Sequence, residues 1–270
     1  MWTIEIVLIM LLVGSFAGFM AGLLGIGGGM IIVPVVLWVL KMQGMADLEY
    51  AQHIAVGTSF AVMVFTMFSS MIAQHRRNMV DWKVVKQMAP AMVMGVFAGS
   101  YIAKYLSNHG LQIFFVVFAV LVAVKTLMNM KPKPSRRLPG PLGLNLVGAG
   151  FGVISSWVGI GGGSLSVPFM LYCNVSVRKA VAISAAQGWF IALAGAAGYL
   201  VSGWSAEGLP AGTLGFWYLP VAGILATATI IFAPLGVKVS HKLPPKKLQM
   251  AFGILLLAIA ARMLWDIAVV

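Results

Sequence analysis

The sequence predicts an all-α integral membrane protein made of two inverted-topology repeats of about five segments each, with glycine-broken helical hairpins. Three observations support this class: an extreme composition, apolar runs along the whole chain and a duplicated glycine-proline motif. Of the 270 residues, 61% are hydrophobic and only 9% are charged, whereas globular domains carry roughly 25% charged residues. A soluble fold could not bury so much apolar surface with so little polar surface to cover it.

Apolar runs close to the ~20 residues needed to cross a bilayer recur throughout the chain. In the first half they cover residues 2–24, 30–40, 51–74, 88–106 and 111–129. In the second half they cover residues 141–158, 164–173, 178–201, 214–238 and 248–268. The first run is too long for a signal-peptide core and no small-residue cleavage site follows it, so we expect it in the mature protein. The second run of each half is short and contains a proline, which makes it marginal for a full crossing.

A repeat is visible in the glycine-rich motifs. Residues 18–29 read GFMAGLLGIGGG and are followed by Pro34, while residues 152–163 read GVISSWVGIGGG and are followed by Pro168. A second match aligns residues 111–127 with residues 248–264, again in the same order. Such ordered self-similarity predicts a duplicated architecture. We therefore assign residues 1–130 to an N-terminal repeat, 131–140 to a linker rich in proline and charge, and 141–270 to a C-terminal repeat.

The basic residues predict the topology. The net charge is +12, but the basic residues sit in short loops between apolar runs, so the positive-inside rule explains them better than nucleic acid does. The loops predicted to be cytoplasmic contain Arg76, Arg77, Lys83 and Lys86; Lys131, Lys133, Arg136 and Arg137; Arg178 and Lys179; and Lys238, Lys242, Lys246 and Lys247. Both termini and the loops at Asp47 and Glu49, 107–110 and 202–212 are then outside. The repeats have opposite orientations, as in secondary transporters of the bacterial cytoplasmic membrane.

The glycine runs are the strongest candidates for a binding site. Consecutive glycines break a helix and free backbone N–H and C=O groups, which are costly in hydrocarbon unless they line a cavity or meet partners. The segment after each run begins a helix, whose N-terminus offers N–H donors and a partial positive charge. That is an anion site without charged side chains. The predicted substrate-binding glycines are Gly25, Gly27, Gly28, Gly29, Gly159, Gly161, Gly162 and Gly163.

Close helix packing is the alternative explanation for glycines in membrane helices. We prefer it for Gly14, Gly18 and Gly22, whose four-residue spacing is typical of packed helix pairs. The triple glycines are poor helix formers, and for them we prefer the binding role. No Gly-Lys-Ser/Thr follows either run, so neither is a phosphate-binding loop.

Hydroxyl and amide side chains within the spans complete the predicted site. Thr58 and Ser59 lie in the third run, and Ser184 and Gln187 lie near the corresponding place in the eighth. Ser164 directly follows the second glycine run and is either a helix N-cap or a ligand donor, or both. Such groups can bind an oxoanion at modest desolvation cost. Hydrogen bonding of each Ser or Thr to its own helix is the alternative.

The positions of the charged and potentially metal-binding side chains argue against other kinds of function. The acidic residues lie in loops or near the termini, which argues against a cation pump or a carboxylate proton relay. Lys104, Lys125, Lys238 and Arg262 fall near run ends, where snorkelling explains them. His53 opens the third run, and a proton-coupling role remains open. The single cysteine, Cys173, allows no internal disulfide, and no ligand spacing or paired nucleophile and base suggests a metal, a cofactor or an enzyme.

The two glycine-rich segments, together with residues 53–59 (HIAVGTS), resemble the TauE/SafE family of sulfite and organosulfonate exporters. The resemblance spans almost the entire chain, with both halves in matching order. The second half departs from it, because residues 182–187 read AISAAQ where Gly-Thr-Ser is expected, so the halves need not contribute equally. The resemblance implies transport of sulfite, sulfoacetate or a related organosulfonate.

We therefore expect a secondary transporter that moves a small sulfur oxoanion by alternating access between the two halves. An anion channel for the same substrate class is the alternative, and saturable flux with counterflow distinguishes the carrier. A structural scaffold leaves the duplicated glycine breaks unexplained. The expected partners are the small anionic substrate and the lipid bilayer, with a homo-oligomer as an open alternative and with no nucleic acid and no cofactor.

Overall fold

The computed structural model describes residues 4–45, 48–128, 137–242 and 246–269, and over these residues the chain is almost entirely helical. The helices of the first half are α1 (Ile4–Leu24), α2 (Gly29–Met42), α3 (Ala51–His75), α4 (Trp82–Ala103) and α5 (Asn108–Leu127). Those of the second half are α6 (Pro141–Val158), α7 (Gly163–Tyr172), α8 (Val177–Ser202), α9 (Leu219–Ser240) and α10 (Lys246–Val269). The predicted all-α membrane class is confirmed. Most of the predicted linker, residues 131–136, lies outside the described residues, as do Asp47 and residues 1–3.

Two predicted boundaries are wrong for identifiable reasons. Helix α4 begins at Trp82 rather than residue 88, because the Asp81 carboxylate accepts hydrogen bonds from the N–H groups of Lys83 and Val84, at 3.1 and 3.4 Å. An apolar run cannot reveal such a capped polar first turn. The predicted ninth segment began at residue 214, but a hairpin of β1 (Thr213–Leu214) and β2 (Trp217–Tyr218) precedes α9.

Seven of the described helices are long and apolar enough to cross a membrane, which makes the chain a multi-pass membrane protein. They are α1, α3, α5, α6, α8, α9 and the Gln249–Ile267 part of α10. Helices α2 and α7 contain 14 and 10 residues. At 1.5 Å per residue they are shorter than the ~30 Å of hydrocarbon in a bilayer. Each therefore begins at a glycine turn and is too short to cross the bilayer on its own.

The most buried helices, α3 and α8, pack against each other at the centre. Around them, α1 packs on α9 and α4 packs on α6, while α5 pairs with α10. Each of these pairs joins the two halves of the sequence, and the set of pairs is unchanged when every helix is exchanged for its counterpart in the other half. The opposite membrane orientation of the halves stays a prediction.

The small residues of α1 pack closely on α9, as the spacing of its glycines predicted. A Cβ atom added to Gly18 would lie 2.6 Å from the Cα atom of Thr229, and one added to Gly22 would overlap the carbonyl oxygen of Ala233. The missing side chains therefore allow the two backbones to touch, which maximises dispersion contacts in a setting where burial from water contributes little.

Candidate functional site: two facing glycine turns

Each glycine motif forms a sharp turn between two helices. Helix α1 ends at Leu24 and α2 begins at Gly29, while α6 ends at Val158 and α7 begins at Gly163. Five of the glycines have positive φ angles that other L-residues rarely adopt: Gly25 (70°), Gly27 (84°), Gly28 (76°), Gly159 (75°) and Gly162 (76°). The backbone path of both turns therefore requires glycine.

The two turns face each other at the centre of the molecule and are in direct contact. A Cβ atom added to Gly27 would lie 2.9 Å from the backbone nitrogen of Gly161. A Cβ atom on Gly29 would overlap the carbonyl oxygen of Gly159, and one on Gly163 would overlap that of Gly25. The juxtaposition expected from the sequence is present, but the turns leave no room for a ligand directly between them in this conformation.

The turns present an unusual set of backbone donors. In α2 the N–H groups of Ile31 and Ile32 both bond to the carbonyl oxygen of Gly28, and in α7 those of Leu165 and Ser166 both bond to that of Gly162. The N–H groups of residues 27–30 and 161–164 donate no hydrogen bond to any residue that the structure describes. Apart from the half-buried Ser164, these residues are buried. Helix N-termini leave such donors free, and buried ones require a partner.

Ser59 and Ser184 hold the turns in place across the two halves. The Ser59 hydroxyl donates to the carbonyl oxygen of Gly159 at 3.0 Å, and the Ser184 hydroxyl donates to that of Gly25 at 2.8 Å. Each serine of one half therefore positions the turn of the other half. In this conformation their protons are already used, and direct substrate binding by either serine stays a prediction.

The other predicted side chains, Thr58, Gln187 and Ser164, make different contacts in the structure. The Thr58 hydroxyl accepts a hydrogen bond from the N–H of Tyr218 at 2.9 Å, so it supports the hairpin. Gln187 is fully buried and its Nε2 atom lies 3.3 Å from the Met88 sulfur, while its Oε1 atom has no partner among the described residues. Ser164 is not the N-cap of α7, because Gly162 occupies that position.

Two serines near the second turn were missed by the sequence analysis. Ser155 and Ser166 are fully buried, and neither hydroxyl has a partner among the described residues. The Ser155 oxygen lies 3.7 Å from the position of a Cβ atom on Gly162. The signal was present in the sequence: residues 155, 164 and 166 are serines, whereas the corresponding residues of the first motif are Ala21, Met30 and Ile32. The second turn is therefore the more polar one.

Charged side chains remain at the ends of the helices. His241, at the end of α9, has its Nε2 atom 3.1 Å from the Oε1 atom of Gln74 at the end of α3. Burial lowers the pKa of His241, and the neighbouring guanidinium groups of Arg77 and Arg178 lower it further. This basic end belongs to the loops predicted to be cytoplasmic. It can attract anions without placing a fixed charge beside the glycine turns.

Carboxylates do not approach the glycine turns within the described part of the chain. Asp266, in the last turn of α10, pairs with Lys41 at 2.8 Å and with Arg262 at 3.4 Å, and all three side chains are partly exposed. The described residues contain no group of three or more His, Cys, Asp or Glu side chains that could hold a metal ion. The donors around the turns are thus neutral N–H and O–H groups, which suit an anion.

Spanning helices around buried, glycine-lined helix N-termini define a multi-pass membrane protein. The chain belongs to the family described as Sulfite exporter TauE/SafE, which it matches over residues 10–263. The resemblance inferred from the glycine motifs is therefore confirmed. No solved structure matches the chain.

Curated relatives carry transporter names. A "Probable membrane transporter protein" of Haemophilus influenzae is 34% identical over 259 residues, covering 95% of this chain and 97% of the relative. Proteins with the same description from Methanocaldococcus jannaschii and Bacillus subtilis (YunE) are 26% and 24% identical, covering 92% and 96% of this chain and 91% and 97% of their own lengths. These names indicate a membrane transporter.

Proposed function

We propose that this protein is a secondary transporter that moves a small sulfur oxoanion, such as sulfite, sulfoacetate or a related organosulfonate, across the bacterial cytoplasmic membrane. The anion binds at the second glycine turn, on the N–H groups of residues 161–164 and the hydroxyls of Ser155 and Ser164. An anion channel for the same substrates is the alternative.

The observation that carries this proposal is a set of N–H groups without partners among the described residues, beside the Ser155 hydroxyl, which has none there either, and the Ser164 hydroxyl, whose one contact is the Met30 sulfur at 3.9 Å. A sulfonate or sulfite group presents several oxygen acceptors on a compact, negatively charged centre. Hydrogen bonds to a charged group are shorter and stronger than those between neutral groups. Preoriented backbone donors at a helix N-terminus stabilise such an anion, and the helix dipole adds to the effect.

Alternating access requires two arrangements of similar free energy, which two related halves supply. The cross-paired helices and the reciprocal bonds from Ser59 to Gly159 and from Ser184 to Gly25 support this interpretation. An exchange of conformations between the halves would remake the same kinds of contact. The direct contact between the turns favours a carrier over a channel, because a conducting channel needs a continuous path.

The binding test uses purified protein in detergent and a panel of sulfite, sulfoacetate, taurine, sulfate, phosphate and chloride. A ligand at 100 times its Kd stabilises the folded state by about 2.7 kcal/mol, which raises the melting temperature measurably. We expect sulfite or a sulfonate to stabilise the protein selectively. If no anion of the panel does so, the backbone anion site is wrong.

Two adjacent serines provide a matched pair of variants for the same assay. The Ser155 hydroxyl has no partner among the described residues, whereas the Ser156 hydroxyl donates to the carbonyl oxygen of Val153 in its own helix at 2.6 Å. We expect Ser155→Ala to weaken binding of the selected anion about ten- to a hundredfold, because a hydrogen bond to a charge contributes about 1.5–3 kcal/mol. Ser156→Ala should bind normally, and equal affinities for both variants would exclude Ser155 from the site.

Counterflow in proteoliposomes separates the carrier from the channel. Vesicles loaded with unlabelled sulfite should transiently accumulate radiolabelled sulfite above the outside concentration, because a carrier exchanges one bound anion for another. A channel would only let the label equilibrate.

A further inference from the structure

The only described strands lie in the connection between α8 and α9, residues 203–218, which has no counterpart of similar length in the first half. The equivalent connection between α3 and α4 covers residues 76–81. Strands β1 and β2 pair antiparallel, with Thr213 opposite Tyr218 and Leu214 opposite Trp217. This hairpin (residues 213–218) lies at the N-terminal end of α3, which the predicted topology places outside.

Aromatic residues of the hairpin insert between α3 and α8. Phe216 is only 1% exposed. Its ring centre lies 5.3 Å from that of His53 and 5.4 Å from that of Tyr50, and its carbonyl oxygen would lie 2.6 Å from a Cβ atom on Gly57. The hairpin is therefore packed into the helical bundle and does not lie loosely on its surface.

Hydrogen bonds attach the same hairpin to three helical segments. The N–H of Tyr218 donates to the Thr58 hydroxyl in α3, at 2.9 Å, and the Tyr218 hydroxyl donates to the side-chain oxygen of Gln43 after α2. The indole N–H of Trp217 donates to the carbonyl oxygen of Ala196 in α8 at 3.0 Å. A hairpin with two-residue strands has few bonds of its own, so these contacts hold it in place.

Polar groups without partners lie in the same part of α3. His53 is 1% exposed; its Nε2 atom lies 2.8 Å from the carbonyl oxygen of Ala103, while its Nδ1 atom has no partner among the described residues. Gln52 is fully buried, and neither polar atom of its side-chain amide has such a partner. Buried polar groups in a membrane protein are costly, and they commonly mark a pathway for polar solutes.

We propose that the substrate anion moves along Thr58 and His53, on a path that leads from the glycine turns to the N-terminal end of α3 beneath the hairpin. The hairpin closes this path. This inference rests on the proposed transport function. Thr58 adjoins Ser59, which touches the second turn, and His53 lies five residues earlier, about 7–8 Å along the helix. When Phe216 and Tyr218 withdraw, the Thr58 hydroxyl and the His53 ring become available to the anion.

The test of the gate is thiol accessibility. Cys173, the only cysteine, is first replaced by alanine, and Thr58→Cys is then introduced. In right-side-out membrane vesicles, a membrane-impermeant maleimide should label this thiol slowly in the parent and at least tenfold faster when Phe216→Ala is added. Trp204→Ala is the matched control, because Trp204 belongs to the same connection but is 70% exposed, and it should leave the labelling rate unchanged.

A milder variant covers the case in which Phe216→Ala fails to fold. Tyr218→Phe removes the hydrogen bond to Gln43 while the ring is kept, and we expect a smaller increase in labelling. Equal labelling rates in the parent, the Trp204→Ala control and both hairpin variants would overturn the proposal. Labelling from the opposite membrane side alone would overturn it as well.

The role of His53 in the path is tested with radiolabelled sulfite. We expect His53→Phe, which removes both ring nitrogens, to lower the maximal counterflow rate about tenfold while sulfite still raises the melting temperature as in the parent. Ser155→Ala should instead weaken sulfite binding, so that sulfite raises its melting temperature less than that of the parent. Unchanged counterflow in His53→Phe would remove His53 from the path. Should sulfite fail to bind at all, the labelling experiment still reports on the hairpin alone.

Discussion

Glycines in this chain serve two different purposes, close helix packing and sharp turns. Their spacing in the sequence distinguishes the two only in part. At Gly22 the absence of a side chain lets α1 touch α9, whereas at Gly27 and Gly162 the backbone itself has a positive φ angle. The second group shapes the turns from which α2 and α7 begin. Free donors at these turns are a consequence of helix geometry, since the first turn of any helix lacks acceptors for its N–H groups.

Gly27→Ala tests whether contact between the turns matters for transport. An alanine at this positive φ is strained by about 1–2 kcal/mol, and its Cβ atom would also lie 2.8 Å from the Met63 sulfur and 2.9 Å from the nitrogen of Gly161. Gly208→Ala shares the positive φ angle, 73°, but has no atom within 4 Å of its Cβ position. We expect sulfite counterflow to fall at least tenfold in Gly27→Ala and to stay near normal in Gly208→Ala. Similar rates in both variants would make the turn contact irrelevant.

At the scale of elements, the helices pair across the two halves more extensively than within them. Helix α1 rests on α9 through Gly14, Gly18 and Gly22, and α6 rests on α4 with similarly close backbones. The short helices α2 and α7 begin at the centre, and each connects one glycine turn to the periphery. This arrangement brings the two turns together although they lie far apart in the sequence.

Gly22→Ala should destabilise the α1–α9 pair. The added methyl overlaps the carbonyl oxygen of Ala233, and overpacking of this kind typically costs 1–3 kcal/mol. Gly223→Ala lies on α9 itself, where an added Cβ has nothing within 4 Å, so the higher helix propensity of alanine should leave stability equal or raised by up to about 1 kcal/mol. Thermal unfolding in detergent measures both. A Gly22→Ala protein as stable as the parent would show that the close contact between α1 and α9 does not contribute to the free energy of unfolding.

For the whole molecule, the uneven distribution of charge predicts the orientation. The basic end combines the C-terminal ends of α3 and α9 with Arg178 at the start of α8. The hairpin and the N-terminal end of α3 lie at the opposite end. The positive-inside rule places the basic end in the cytoplasm and the hairpin outside.

Single thiols introduced into the Cys173→Ala background test this orientation in intact cells. We expect an impermeant maleimide to label Ser205→Cys directly and to label Lys242→Cys only after the membrane is permeabilised, since both positions are exposed but at opposite ends. The cysteine-free parent serves as the unlabelled control. The reverse pattern would invert the topology of the entire chain and would overturn the proposed gate, which requires the hairpin to lie outside.

The membrane class, the ten segments and the family could be predicted from the sequence, because each depends on patterns that are local or recur in order. Hydropathy marks Ala51–His75 as a span, and GIGGG marks the turns, without knowledge of any neighbour. The roles of individual side chains could not be read in this way. Thr58 and Ser59 are adjacent in the sequence, yet one supports the hairpin through Tyr218 and the other holds the turn at Gly159.

Composition and motif thus predicted a membrane transporter with two glycine turns as its candidate anion site, and the family match confirmed the transporter class. Only the tertiary structure decided that the turns touch, that the Ser155 hydroxyl lies beside the second one and that the hairpin covers His53. The bonds from Ser59 to Gly159 and from Ser184 to Gly25 join residues that are 100 and 159 positions apart. Contacts of this kind depend on how whole helices pack, and helix packing is a collective property of many side chains that no local pattern encodes.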